Sequence, residues 1–247
     1  MTPRPSRKKK SAASRVRPFW IPIVLVLSVA AAAGYYGATW SGFYPKSVVL
    51  SGNRIVSRAQ ILAKAAISTH QNLWLQNTRA SATRIEAIPY IFVARIHRVP
   101  PASVRIVVSE RVPFANVQTE RQTLLVDRSL RVLEAQGRSA LPTFILAAGA
   151  YAVPGMFLRD SRAQRLRDDY ERLIAGHVVA RGLKFDRFGD LVATLNDRKQ
   201  ILFGDDRDLG KKVALVDPIL SQLSRSGRPV AAIDLRAPGT PIVVYRR

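Results

Sequence analysis

The pattern of hydrophobic and polar positions divides the chain into an apolar N-terminal span, a small mixed domain and a strand-rich second half. The span from Phe19 to Trp40 is twenty-two residues long and uncharged. A helix of this length rises roughly 33 Å at about 1.5 Å per residue, which matches a hydrocarbon core of roughly 30 Å. Aromatic rings near both ends suit the headgroup layers. The pattern predicts one membrane-spanning helix at residues 19–40.

The charges beside this span predict its orientation. Residues 1–18 carry seven Lys or Arg and no Asp or Glu, so the positive-inside rule places them in the cytoplasm. Their Ser, Pro and Lys content predicts a disordered head. A cleavable signal peptide is the alternative, since Ala30–Ala33 offers small-residue cleavage sites. The apolar character continues beyond them to Trp40, which favours an uncleaved anchor.

Residues 45–110 alternate strand and helix signals in the order β-α-α-β-β. The first strand ends at the turn signal Gly52-Asn53, and Leu73-Trp74-Leu75 is predicted to be a buried connector between the helices. The predicted elements are a strand at 46–50, helices beginning at Ser57 and at Thr78 or Ser81, and strands at 91–99 and 103–109.

Residues 111–247 predict a second, β-rich domain with two packed helices. One helix is predicted at 159–177 and the other from Asp205 to about Ser224, with a bend at Pro218. The fold class is therefore α+β, with one transmembrane helix followed by two domains. The predicted strands lie at 114–117, 123–126, 131–134, 179–185, 191–195, 200–203, 230–236 and 242–245.

Short motifs along both domains resemble those of the bacterial cell-division family FtsQ, called DivIB in Gram-positive lineages, whose first extracytoplasmic domain is a POTRA domain. One departure is Arg128-Ser129, where the family's hairpin usually has a glycine. The motifs that carry the resemblance are Gly52-Asn53, Ile88-Pro-Tyr-Ile91, Arg98-Val-Pro-Pro101, Ser109-Glu-Arg-Val-Pro113, Leu124-Leu-Val-Asp127, Leu141-Pro142 and Ile233-Asp-Leu-Arg236.

The resemblance implies a non-enzymatic divisome scaffold in the bacterial inner membrane. By resemblance, the N-terminus is cytoplasmic, the C-terminus is periplasmic, and the protein works at the division septum. It would bind FtsB, FtsL and other divisome members and help to control septal peptidoglycan synthesis. The POTRA domain, with Gly52 and Asn53, is expected to serve recruitment, and the distal β domain is expected to bind FtsB.

The last strand is the predicted partner-binding edge, because an edge strand presents unpaired N–H and C=O groups to an incoming strand. Arg187 and Arg236 are candidate clamps for partner carboxylates, and Ala237 stands where family members usually have an aromatic residue. Simpler roles remain open: half-core packing for the strand, pairing with Asp234 for Arg236, turn formation for Gly52 and Asn53, and an interdomain polar pair for Glu110-Arg111. The candidate edge residues are Ile242, Val243, Val244 and Tyr245.

Composition and motifs disfavour catalysis. The chain has no cysteine, so it has neither a disulfide nor a thiol nucleophile. Its histidines, His70, His97 and His177, lack metal-ligand spacing, and no nucleophile elbow or phosphate loop occurs. The carboxylates of Asp205, Asp206 and Asp208 are read as a helix N-terminal turn. No cofactor and no metal are predicted.

Two other classes of function remain open. A net charge of +22 permits attraction to envelope polyanions, although no nucleic-acid-binding motif accompanies it. Such binding would weaken steeply with salt. The other class is a POTRA-type accessory of outer-membrane assembly or secretion, which would bind unfolded outer-membrane substrates.

Overall fold

The computed structural model describes residues 20–146 and 151–246. The prediction of a disordered cytoplasmic head at residues 1–18 lies outside them. The fold divides into two compact units. Of the described residues, the first comprises 20–48, 68–76 and 98–104, and the second comprises 49–67, 77–97, 105–146 and 151–246.

The predicted membrane-spanning element forms a continuous helix, α1 (Trp20–Thr39), followed by a 3-10 turn at Ser41–Phe43. Its mean hydropathy is 1.8, and none of its side chains is buried by the protein. Among the described residues, α1 alone is long and apolar enough to cross a membrane. The predicted apolar N-terminal helix is confirmed.

The small mixed domain has the predicted β-α-α-β-β order. Its three strands form one sheet in the order β1-β3-β2. The hydroxyl of Ser57 caps the first helix by accepting a hydrogen bond from the Gln60 amide, as predicted, but the second helix is capped by Asn77. The elements are β1 (Ser47–Ser51), α2 (Arg58–Ala65), α3 (Thr78–Glu86), β2 (Ile91–Val99) and β3 (Ser103–Glu110).

The connector at residues 73–75 differs from its prediction. Leu73 is fully buried, but Trp74 and Leu75 are 54% and 60% exposed. The apolar run therefore supplies one core residue and leaves two large apolar side chains uncovered by the chain.

The second domain is built on a single nine-stranded sheet, whose order is β12-β11-β10-β9-β8-β7-β4-β5-β6. Three pairs are parallel, β10 with β11, β4 with β7 and β7 with β8, and the others are antiparallel. The strands are β4 (Pro113–Gln118), β5 (Thr123–Asp127), β6 (Val132–Glu134), β7 (Thr143–Ile145), β8 (Gly182–Phe185), β9 (Leu191–Thr194), β10 (Gln200–Gly204), β11 (Val230–Asp234) and β12 (Ile242–Tyr245).

Three helical segments accompany this sheet: α4 (Ser161–Ala175), α5 (Leu209–Ala214) and α6 (Val216–Ser226). The single second helix predicted from Asp205 is wrong, because the helix breaks at Leu215. Pro218 explains the position of the break. It has no N–H to donate to the carbonyl of Ala214, and its ring crowds that carbonyl. Pro218 is instead accommodated in the first turn of α6.

Helix α4 covers the middle of the sheet and closes the core of this domain. Its residues Leu166, Tyr170 and Leu173 are buried at the spacing of one helix face. The ring of Tyr170 meets that of Phe144 on β7 edge to face, with centroids 5.7 Å apart. The same core continues to the last strand, where Val243 packs against it.

The β5–β6 hairpin forms without the turn glycine that the family usually has. One oxygen of the Asp127 carboxylate accepts hydrogen bonds from the Ser129 amide at 2.9 Å, the Ser129 hydroxyl at 2.7 Å and the Arg131 amide at 2.9 Å. Leu130 adopts the left-handed conformation, with φ at 61°. The side chain of Asp127 therefore replaces glycine as the source of turn stability.

Candidate partner-binding edge

The last strand lies at one end of the nine-stranded sheet, so the predicted edge position is confirmed. At the opposite end, β6 is hydrogen-bonded to a following segment. The Val132 amide donates to the Met156 carbonyl at 2.8 Å, and the Gly155 amide donates to the Val132 carbonyl at 2.8 Å. The described residues add no corresponding segment to β12. The two ends of the sheet therefore differ in exposure of their backbone groups.

The direction of the backbone groups in β12 follows from those of β11. The Leu235 amide, just beyond β11, donates to the Leu202 carbonyl on β10 at 2.8 Å. Because backbone groups alternate sides along a strand, Asp234 and Ala232 point the other way, toward β12. Their partners in the antiparallel register are Ile242 and Val244. These two residues therefore carry the hydrogen bonds between β11 and β12.

The remaining residues of β12, Val243 and Tyr245, direct their N–H and C=O groups away from β11. A second contact agrees with this alternation, since the Arg246 amide turns inward and donates to the Pro229 carbonyl at 2.9 Å. Val243 and Tyr245 together offer two donors and two acceptors along the free edge.

The side chains of β12 divide between the two faces of the sheet. Ile242 and Val244 are 57% and 49% exposed, whereas Val243 packs against the core. The guanidinium of Arg228 lies 4.9 Å from the ring centroid of Tyr245. The edge therefore presents the apolar side chains of Ile242 and Val244 on one face. Beside them lies the ring of Tyr245, which the Arg228 guanidinium covers.

Arg236 is held by a carboxylate at the end of the preceding strand, β11. Its Nη2 lies 2.6 Å from Oδ2 of Asp234, and its Nε lies 3.1 Å from both carboxylate oxygens. The hydrogen bond from Arg236 lowers the pKa of the Asp234 carboxyl below its usual value. Ala237 is exposed, and its carbonyl accepts a hydrogen bond from the Thr240 amide at 3.0 Å in the following turn. The simpler reading of Arg236, pairing with Asp234, describes its geometry.

Arg187 lies in the turn between β8 and β9. Its guanidinium is 4.6 Å from the ring centroid of Phe188, which is 71% exposed. The pKa of Arg236 is raised by Asp234 first and then by the carboxylates of Asp190 and Asp186 in the same turn. The strand register agrees, because Leu191 directly after this turn pairs with Gly204, and Leu202 pairs with Asp234. The structure therefore brings the two candidate clamps to the same end of the sheet.

The two recruitment candidates have local roles in the turn after β1. Gly52 has φ at 92°, and a Cβ there would lie 1.9 Å from the Val108 carbonyl oxygen. The Asn53 side chain donates to the Val56 carbonyl at 3.1 Å. Both are turn residues, as the simpler reading has it, and their part in recruitment stays a prediction.

A polar junction joins the small domain to the sheet domain, as Glu110-Arg111 indicated, but the partner of Arg111 is Asp127. Arg111 Nη1 lies 2.6 Å from Oδ2 of Asp127, and the two side chains are only 9% and 8% exposed. The Tyr90 hydroxyl bonds Glu134 and accepts a hydrogen bond from Arg138 at 2.9 Å. The pKa of Tyr90 is raised, mainly by burial and secondly by the hydrogen bond with Glu134.

The acidic cluster before α5 is neutralised locally. Asp208 occupies the N-cap position and pairs with Lys211 at 2.9 Å, and Asp205 pairs with the buried Lys212 at 3.1 Å. Within residues 20–146 and 151–246, no group of three or more His, Cys, Asp or Glu side chains is arranged to hold a metal.

Known proteins match this chain both in the small domain and in the sheet domain. Residues 43–111 match the family described as "POTRA domain, FtsQ-type". Cell division protein DivIB of Clostridium tetani is 23% identical over 83% of this chain and 80% of its own length. Cell division protein FtsQ of Chloroflexus aurantiacus is 27% identical over 90% of this chain and 81% of its own. The chain is similar to FtsQ/DivIB proteins of bacterial cell division over most of its length.

The similarity extends over both the small domain and the sheet domain. Cell division protein FtsQ of Syntrophotalea carbinolica is 32% identical over 85% of this chain, which spans 57% of that relative. The FtsQ-type POTRA domain corresponds to the small mixed domain, and the matches to full relatives extend into the nine-stranded sheet domain. The resemblance read from the motifs is confirmed at the level of the family.

Proposed function

We propose that this chain is a non-enzymatic scaffold of bacterial cell division that binds FtsB- and FtsL-type proteins through β12. The observation that carries the proposal is the pair of outward-facing backbone residues, Val243 and Tyr245, on an uncovered strand. Similarity to the relatives named as cell division proteins supports the role in division. In this role, α1 anchors the scaffold in the inner membrane with its N-terminus in the cytoplasm, and the protein acts at the septum.

The mechanism is addition of a partner strand to the sheet. Val243 and Tyr245 can exchange as many as four hydrogen bonds with an antiparallel partner strand. At about 0.5–1.5 kcal/mol net for each bond, the backbone supplies roughly 2–6 kcal/mol. Side chains then set specificity, because the exposed Ile242 and Val244 offer apolar contacts on one face. Arg187, beside the same end of the sheet, is the freer of the two candidates for a partner carboxylate.

Paired proline substitutions test this mechanism. In Val243→Pro the lost N–H is one that faces the free edge, whereas in Val244→Pro it is one that bonds β11. We expect Val243→Pro to retain the fold and to weaken partner binding at least about tenfold, which corresponds to roughly 1.4 kcal/mol. Unlike Val243→Pro, Val244→Pro should also lower the unfolding temperature, because it removes a hydrogen bond between β12 and β11.

The measurement is binding of the full chain in lipid nanodiscs to the extracytoplasmic FtsB–FtsL pair of the same organism, at low and moderate salt. Equal binding by the parent and a folded Val243→Pro variant would contradict edge pairing. Failure of the parent to bind the pair, with capture of an unfolded outer-membrane protein instead, would favour the secretion accessory. Binding that is lost at moderate salt would favour the polyanion reading.

A further inference from the structure

The loop between α2 and α3 in the first unit holds two exposed apolar side chains next to the end of the membrane-spanning helix. Trp74 and Leu75 are 54% and 60% exposed, while their neighbours Asn72 and Leu73 are buried. Large apolar side chains uncovered side by side indicate a surface that meets something apolar.

Asn72 fixes this loop to α1. Its Nδ2 donates to the carbonyl oxygens of Gly37 at 2.9 Å and Ala38 at 3.0 Å, which are among the last of the helix. Its Oδ1 accepts from the Trp74 amide at 2.9 Å. One buried side chain therefore satisfies two carbonyls at the helix C-terminus and sets the position of the exposed pair.

Further backbone contacts hold the loop in place within the same unit. The Leu73 amide donates to the Phe43 carbonyl at 2.9 Å. Arg98 donates from Nε to the Leu73 carbonyl at 2.9 Å and from Nη2 to the Gln76 carbonyl at 2.7 Å. The loop is thus bound on both sides of Trp74 and Leu75, and these two residues protrude from a fixed backbone.

We propose that Trp74 and Leu75 insert into the headgroup layer of the membrane that α1 spans, giving the POTRA domain a second contact with the bilayer. The bonded carbonyls lie within about 3 Å of the helix end, measured along its axis. Trp74 lies two residues beyond Asn72, so their Cα atoms are at most roughly 8 Å apart. Each headgroup layer is roughly 5–8 Å thick, so the exposed pair is within its reach.

The chemistry of the neighbourhood fits this occupant. Tyr36 and Trp40, at the same end of α1, are 73% and 57% exposed, as expected of rings in a headgroup belt. Trp74 adds a third ring at a level set by Asn72. A tryptophan there buries its apolar body while its indole N–H reaches water or lipid oxygens.

Site-directed spin labelling tests the insertion directly. The chain has no cysteine, so Leu75→Cys carries a single nitroxide without further changes. The full chain would be reconstituted in phosphatidylethanolamine–phosphatidylglycerol vesicles, and the accessibility of the label to oxygen and to a water-soluble nickel chelate would be compared. Val29→Cys, in the middle of α1, is the bilayer reference, and Phe188→Cys, on the second unit, is the reference for an exposed site.

We expect the ratio of oxygen to nickel accessibility at residue 75 to lie above that at residue 188 and toward that at residue 29. Asn72→Ala, added to Leu75→Cys, should shift the ratio toward that of residue 188, while the matched change Gln71→Ala should leave it unchanged. The proposal is overturned if residue 75 matches residue 188 in a preparation where residue 29 reports the bilayer interior. Such a result would leave strand pairing at β12 untouched, since it concerns a different surface.

Discussion

The buried ion pair of Arg111 and Asp127 predicts that Arg111→Ala is strongly destabilising. Arg111 Nη1 is bonded to Oδ2 of Asp127 at 2.6 Å, and both side chains are almost fully buried. The Arg111 guanidinium also lies 5.0 Å from the ring centroid of Phe92, and its Nε donates to the Ile91 carbonyl at 3.3 Å. The substitution removes these contacts together and leaves one carboxylate oxygen of Asp127 buried without its donor.

The magnitude follows from that unpaired charge. Breaking a buried pair by removing one partner costs about 3–5 kcal/mol, because the desolvated charge remains. For a domain of this size, about 1 kcal/mol shifts the unfolding temperature by roughly 2–4 °C, so we expect a decrease of roughly 6–20 °C. The small domain should loosen from the sheet domain first, since Arg111 joins the two.

Arg128→Ala is the matched control. Arg128 pairs with Glu171 at 2.5 Å, but their side chains are 73% and 34% exposed, so this pair contributes about 0–1 kcal/mol. The assay is thermal unfolding of the full chain in detergent, followed by circular dichroism. Similar decreases in unfolding temperature in the two variants would refute the reasoning, because burial of the ion pair would then not determine how much stability its loss removes.

The remaining predictions concern a turn glycine and a buried carboxyl. Gly52→Ala should lower the free energy of unfolding by about 3 kcal/mol or more, because the new Cβ meets the Val108 carbonyl. Gly189→Ala, at a similar positive φ in open space, should lower it by about 1 kcal/mol. Denaturant unfolding measures both. Burial raises the pKa of Asp169 above its usual value of about 4 despite the nearby Arg172. The parent protein therefore loses stability relative to the Asp169→Asn variant as pH rises through that raised pKa. If the difference in unfolding temperature between the parent and the variant stays the same from about pH 3 to about pH 7, the prediction is contradicted.

Local pattern was sufficient for much of the fold. The strand at 103–110 follows from strict alternation, with Val104, Ile106 and Val108 buried between exposed neighbours. Helix α4 follows from helical spacing of its apolar residues. The edge position of β12 was also predicted, and β12 lies at one end of the sheet.

Features that depend on distant partners were not predictable from the same pattern. Strand β7 is three residues long, so it shows no period, yet it lies in the sheet between β4 and β8 with parallel pairing on both sides. The pairing of Arg111 with Asp127 joins residues of two domains, and nothing local marks either as a partner of the other. Asn72 likewise reads as an ordinary loop residue until its contacts with α1 are known.

The two edges of the large sheet differ in how their backbone groups are covered. Strand β6 is closed by the chain itself, through a segment that turns at Gly155 with φ at 95°. Strand β12 is left open but short, and Pro241 precedes it, which limits how far any pairing can extend. Arg228 and Arg246 flank it, so two copies paired through this edge would bring like charges together. A partner strand with carboxylates beside it meets no such repulsion, and we therefore expect an acidic flank to decide which strands β12 accepts.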